Sequence, residues 1–144
     1  METILKLSGL TLAFILFTMM SNAQAVSDYD SGKKEISVRD GKVADYSSGK
    51  VELKCDDMYI WDYQSGKRLF KVQNNALFDY NSGKKLFVLN DVYISEFSSG
   101  KRRYKIGNGA ISDYTSGKKL YAMPGTHSTC EVFMILYKLN LLNL

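Results

Sequence analysis

The chain reads as an all-β protein: an antiparallel meander of six 17-residue hairpin units, curled or closed into a barrel-like or flower-like ring. Three observations predict this. A hexapeptide returns at one fixed interval, the apolar residues between its copies are spaced by two, and turn-forming pairs separate the apolar runs.

The hexapeptide is Asp28-Tyr29-Asp30-Ser31-Gly32-Lys33, and it recurs from Asp45, Asp62, Asp79, Glu96 and Asp113 without an insertion. Three residues beyond each motif Lys stands a large apolar residue: Ile36, Leu53, Phe70, Phe87, Tyr104 and Tyr121. Two further on stand Val38, Cys55, Val72, Leu89, Ile106 and Met123. A spacing of two places both on one face of a strand. Turn-rich pairs follow: Asp40-Gly41, Asp56-Asp57, Asn74-Asn75, Asn90-Asp91, Asn108-Gly109 and Pro124-Gly125. A third apolar position comes next, at Val43, Ile60, Leu77, Ile94 and Ile111; the sixth copy has Ser128 there, so it decays.

Each unit is therefore strand, tight turn, strand, tight turn. Asp-Gly and Asn-Gly favour the two-residue hairpin turn, which needs positive φ at both central residues. The Ser-Gly-Lys corner predicts a three-residue loop with a left-handed Gly and a bulge. The Asp that opens the motif accepts hydrogen bonds from turn N–H groups. These turns put Val38 opposite Val43, Ile106 opposite Ile111, Val43 near Leu53 and Ile111 near Tyr121. All three apolar positions then share the core face. The motif aromatics (Tyr29, Tyr46, Tyr63, Tyr80, Phe97, Tyr114) form a ladder on the other face, with the motif lysines beside it. An open sheet with one apolar face must curl, close or pack on itself; an elongated stack of hairpins is the alternative.

The Asp79-Tyr80-Asn81-Ser82-Gly83-Lys84-Lys85-Leu86 type of hairpin resembles the units of the four-fold β-flower proteins. It is similar, less closely, to the YD repeats of bacterial surface and toxin-shell proteins. The likeness covers Asp28 to Met123, with six units in place of four and Asp-Tyr in place of Tyr-Asp. The β-flower resemblance implies an all-β fold, and the YD resemblance a shell or wrapping role. Neither implies a catalytic residue.

Residues 1–25 read as a secretory signal peptide: Lys6 near the start, an apolar run from Leu10 to Met20, and the small-x-small site Ala23-Gln24-Ala25. A membrane anchor is the alternative, but the run is shorter than the about 20 residues of a spanning helix. The expectation is a secreted, periplasmic or cell-surface protein with no membrane span after processing. The leader holds Lys6 and Glu2, so its removal preserves the net charge of +4. That mild excess favours anionic partners, is too evenly spread for nucleic acid, and points to an acidic polysaccharide or a cell-surface protein.

The repeat domain spans 26–129, and 130–144 is an apolar C-terminal tail. The tail predicts a closing strand or short helix over one sheet edge, or a shift of reading frame. Cys55 and Cys130 either pair in an oxidising compartment or remain buried thiols.

Catalysis needs a nucleophile, base or metal gathered in one place. The single His127 lies in the decayed copy, and the motif carboxylates repeat at equivalent places, which suits a structural job. These acids are expected to cap turns and pair with the second base (Lys34, Arg68, Lys85, Arg102, Lys119), which Val51 replaces in the second copy. No enzyme activity, cofactor or metal is expected. The candidate binding residues are Tyr46, Tyr59, Trp61, Tyr63, Lys67, Tyr80 and Lys84. Aromatics stack on sugar rings, lysines attract acidic groups, and repetition adds avidity. The function expected is an exported binding module for a surface polymer or protein; the alternative is a structural or shell element with no ligand.

Overall fold

The computed structural model describes residues 23–56 and 58–144. The expected leader lies, up to residue 22, outside the described residues. Twelve strands and one helix follow among the described residues. The strands are β1 (Gln24–Asp28), β2 (Lys34–Arg39), β3 (Lys42–Asp45), β4 (Val51–Asp56), β5 (Tyr59–Asp62) and β6 (Arg68–Gln73). The second half continues with β7 (Ala76–Asp79), β8 (Lys85–Asn90), β9 (Tyr93–Glu96), β10 (Arg102–Gly107), β11 (Ala110–Asp113) and β12 (Lys119–Ala122). The helix is α1 (Thr129–Lys138). Each strand pairs antiparallel with its neighbours in sequence, and β1 pairs with β12, so the meander is a closed barrel and not an elongated stack. Gln24 and Ala25 pair with Val38 and Ser37, so a cut after Ala25 would begin β1 at Val26.

The register follows from the turns. Val38 faces Val43, Ile106 faces Ile111, Val43 faces Leu53 and Ile111 faces Tyr121, as the spacing predicts. Arg39 pairs with Lys42, leaving Asp40-Gly41 as a two-residue turn with φ of 49° and 69°. Gly is required at this corner. A Cβ on Gly41 would stand 2.9 Å from the Cys55 carbonyl oxygen. Two turns fall one residue later than the pairs named above: Asn90 pairs with Tyr93, so Asp91-Val92 is the corner, and Asp56 pairs with Tyr59. The reason is that a two-residue loop is fixed by the last cross-strand pair, not by the most turn-prone dipeptide.

The opposite corners hold the hexapeptides. Asp79 N–H donates to the Lys84 carbonyl at 2.9 Å, and Gly83 N–H to the Asp79 carbonyl at 2.9 Å. Tyr80 to Gly83 thus form a four-residue loop, one longer than expected, with Gly83 left-handed at φ 71°. The extra residue is matched by a one-residue register slip beside each such corner, as at Leu77/Phe78. The bulge was expected; the longer loop follows from Asp79, whose carboxylate accepts from Ser82 N–H and Oγ–H at 2.8 and 2.7 Å.

Strand alternation sends Ile36, Val43, Leu53, Ile60, Phe70, Leu77, Phe87 and Ile94 inward, where all are buried. About eight strands make a barrel that its own side chains fill. Twelve leave room, and the tail occupies it. Val132, Phe133, Met134, Ile135 and Leu136 are five consecutive buried residues, the last four with no exposure. Five successive positions circle more than one turn of a helix, so α1 is enclosed on every side. It forms one core cluster with the inward residues of the strands. This corrects the edge-covering role: a closed ring has no edge, and the helix fills its centre.

Both ends of α1 are anchored. Ser128 is its N-cap, accepting from Glu131 N–H at 3.1 Å, while the Glu131 carboxylate accepts from Ser128 N–H. Cys130 is disulfide-bonded to Cys55 on β4, with Cα atoms 6.1 Å apart. At the other end Lys138 pairs with Glu52, Tyr137 packs edge-on against Phe70 at 4.9 Å, and Tyr104 donates to the Leu141 carbonyl at 2.7 Å. Asn140, left-handed at φ 57°, terminates the helix, with Leu141 N–H donating to the Leu136 carbonyl.

The disulfide spans a sequence separation of 75 residues. Restricting the unfolded chain by a loop of that length stabilises the fold by about 4.5 kcal/mol in the chain-entropy model. A Cys55→Ser/Cys130→Ser variant is expected to lose most of this, read as a lower urea midpoint. Reductant should lower the parent midpoint by the same amount and leave the variant unchanged. Equal midpoints with and without reductant would show that the cross-link adds nothing.

Candidate functional site

The outer wall carries the residues available for recognition. Tyr59 and Trp61 flank the inward Ile60, so both project outward, with ring centroids 6.4 Å apart. Arg68, the first residue of the next strand, pairs with Trp61 across the bulge. Its guanidinium lies over Tyr59 at 4.4 Å, over Trp61 at 4.6 Å and toward Tyr80 at 5.7 Å. Tyr80 stands edge-on to Tyr59 at 5.9 Å and accepts from Arg68 Nη1 at 3.4 Å. Three of the predicted binding residues, Tyr59, Trp61 and Tyr80, therefore meet around one cation that the sequence reasoning assigned elsewhere.

That cation was expected to pair with a motif carboxylate. The structure corrects this. The second bases Lys34, Arg68, Lys85 and Arg102 each lie over the motif aromatic twelve residues further along, as Arg68 does over Tyr80 and Lys34 over Tyr46 at 5.2 Å, and Lys119 meets Tyr29 across the closure of the ring. Lys85 covers Phe97 at 4.5 Å, and Lys119 covers Tyr29 at 5.3 Å. The reason is the hairpin geometry: the bulge turns the second base outward, while the motif carboxylate bends back into its own loop. In the second unit, where Val51 replaces the base, Lys42 covers Tyr63 at 5.7 Å instead.

The motif lysines are also placed differently from the ladder expected of them. Lys67 and Lys84 do not stack on rings. They rim a cleft of about 650 Å³ at the Ser-Gly end of the barrel, floored by Leu69, Leu86 and Tyr137 and bordered by Tyr80. The structure thus divides the predicted set. Tyr59, Trp61 and Tyr80 converge, Tyr46 and Tyr63 stand in neighbouring columns each with its own lysine, and Lys67 and Lys84 belong to the barrel end. Tyr80 borders both regions.

Further bases extend the outer wall around Trp61. Lys54 pairs across from Trp61, and Lys71 across from Tyr59. Lys54 meets Asp56 at 3.5 Å. Among the described residues, Lys42, Arg68, Lys71 and Lys85 have no carboxylate within ion-pair distance. Of these, Lys42, Arg68 and Lys85 lie over aromatic rings, so the wall presents cations fixed by aromatics and, among the described residues, not paired with acids. The Trp61 indole N–H is buried and finds no acceptor among the described residues. No group of three or more His, Cys, Asp or Glu among the described residues could hold a metal ion, and no helix there is long and apolar enough to cross a membrane.

The motif carboxylates hold the scaffold. Hydrogen bonds from the backbone N–H three residues on, then from Ser hydroxyls, lower Asp28, Asp62, Asp79 and Asp113, and bring Asp45 to about 2. Glu96 is lowered by the Ser99 hydroxyl and then by Arg103, with which it pairs. Because each folded value lies below the unfolded one, the contribution is complete above the unfolded range and is lost as pH falls through the folded value. The urea midpoint should fall as pH drops from about 4 toward about 2 and be insensitive to these groups above about pH 5. A midpoint unchanged down to about pH 2 would show that the capped corners carry no stability.

Compared with protein-family models, curated proteins and solved structures, the chain finds no match.

Proposed function

We propose that the protein is an exported, non-enzymatic binding module that holds an acidic polysaccharide against the outer wall of its barrel. The observation that carries this reading is the set of cations stacked on aromatic rings, with no acid among the described residues within ion-pair distance of them. Stacking fixes a long side chain that would otherwise lose rotamer freedom on binding, so less is lost when an anion arrives. Exposed rings beside the cations offer apolar faces for the C–H side of a sugar. Units repeated around the wall give a polymer several contacts of one kind. The disulfide supports an oxidising compartment, in keeping with the leader read in residues 1–25.

One observation favours a second reading, a structural or shell element without a ligand. The chain's own cations already cover one face of the stacked rings. In that reading the pairs serve only to shield the strands and separate the surface from other copies.

Chromatography on immobilised polymers separates the two. The protein should be retained on polygalacturonate and on dextran sulfate, elute as salt rises through about 0.1–0.5 M, and pass unretained through neutral dextran. Lys42→Ala/Lys71→Ala should elute earlier, and Arg39→Ala, which removes a base at the far turn, should elute with the parent. Passage through every column, together with concentration-dependent assembly in solution, would replace the binding reading by the structural one.

A further inference from the structure

The bases on the wall are not alike, and their alternation has a chemical meaning. Tyr59 and Tyr93 occupy equivalent places in the second and fourth units, whereas Ala76 and Ala110 occupy them in the third and fifth. Where the place holds Tyr, the base that follows is Arg (Arg68, Arg102); where it holds Ala, the base is Lys (Lys85, Lys119). The two Arg sites have nearly the same geometry. Arg102 lies over Tyr93 at 4.2 Å and toward Tyr114 at 5.5 Å, and donates to the Tyr114 hydroxyl at 3.4 Å. Tyr93 stands edge-on to Tyr114 at 5.6 Å. The corresponding contacts of Arg68 are 4.4, 5.7, 3.4 and 5.9 Å.

A second aromatic therefore goes with a planar cation. A ring beneath the guanidinium and a Tyr hydroxyl that accepts from it restrict its plane, and fixing the plane has no value for an ammonium, which is a point charge. A guanidinium has five N–H donors in a fixed fork. One from each Arg goes to a Tyr hydroxyl at 3.4 Å, and among the described residues neither Arg meets a carboxylate. Both residues are exposed, and among the described residues the rest of each fork has no hydrogen-bond or ion-pair partner. A planar, two-oxygen anion is the group that fits such a fork.

We infer that Arg68 and Arg102 are two equivalent carboxylate-recognition sites, and that the polysaccharide they select is one that carries uronic acids. This rests on the polysaccharide reading above and narrows it from any polyanion to a carboxylated one. The sites lie on β6 and β10, four strands apart in a ring of twelve, which is a third of the circumference. One molecule therefore binds two separate chain segments and can join two strands of polymer. The lysines between them attract charge without regard to its shape. The two sites share this geometry and differ in one neighbour: the Arg68 site has Trp61 as an additional ring where the Arg102 site has Ser95.

The test uses the full protein and a short oligogalacturonide that spans one site. Calorimetry should show two sites, and the fully methyl-esterified oligomer, which keeps the rings and loses the charge, should not bind. Arg68→Lys and Arg102→Lys each keep the charge and lose the fork. Each should remove one site, weakening it by about tenfold or more. Trp61, the only Trp, reports the first site alone, so its emission should respond to the oligomer in Arg102→Lys and not in Arg68→Lys. Unchanged thermal unfolding confirms that both variants are folded. If the double variant binds the oligomer as the parent does, or the ester binds equally well, the fork assignment is overturned. Should that variant also keep the parent's retention on both acidic columns, the general polyanion reading survives alone. If the parent binds neither polymer, both fall.

Discussion

A sheet with one apolar face has to place that face against something. Here the face is long, because twelve short strands contribute to it, and curling it into a ring leaves an interior wider than its own side chains can close. The dry centre is completed by α1, whose Phe133, Met134, Ile135 and Leu136 meet Ile36, Ile60, Leu77 and Ile94 from the wall. Without a filler the ring would hold water against apolar residues or collapse out of its regular register. Apolar burial of this kind is the main favourable term in folding, and it explains why so irregular a tail follows so regular a repeat.

The wall and the filler divide the work. The corners hold the wall through local bonds: motif carboxylates to Ser N–H groups, left-handed Gly, and a bulge beside each loop. Those bonds are almost all within one hexapeptide and leave the second base free of the motif acid. The base then turns to the aromatic of the next corner. The retention of the motif acids by their own corners is thus what leaves, among the described residues, a row of cations without acid partners on the outside, and the proposed recognition depends on that row.

Much of the fold was legible in the residues because the contacts that define it are short in sequence. Val38 and Val43 meet across a two-residue turn, and a spacing of two fixes their face. The enclosure of α1 was not legible, since it depends on how many strands close the ring. Yet Ser128 and Glu131 already carry the capping box that starts a helix, and Ser128 was read instead as decay of the repeat. Of the site, Tyr80 was legible from its place in the repeated motif, and Trp61 and Tyr59 from the spacing of two that runs back from Tyr63. Arg68 was assigned to the motif acid instead, because its pairing with Trp61 depends on the bulge and the four-residue corner that set the β5–β6 register, and Tyr80 reaches it from the next corner. The alternation of Tyr59 and Tyr93 with Ala76 and Ala110, matched by Arg and Lys, was its only trace in the chain.

The order of elements along the chain has a consequence for assembly. The segment at the middle of the structure follows all twelve strands in sequence. A nascent chain can pair hairpin after hairpin, but the partial circle has nothing to close around until the last turn of α1 exists. Ring and plug must therefore arrive together, with β1 and β12, which share two residue pairs, as the natural gate left ajar until then. Once the helix is seated, the Cys55–Cys130 bond fixes it to the wall.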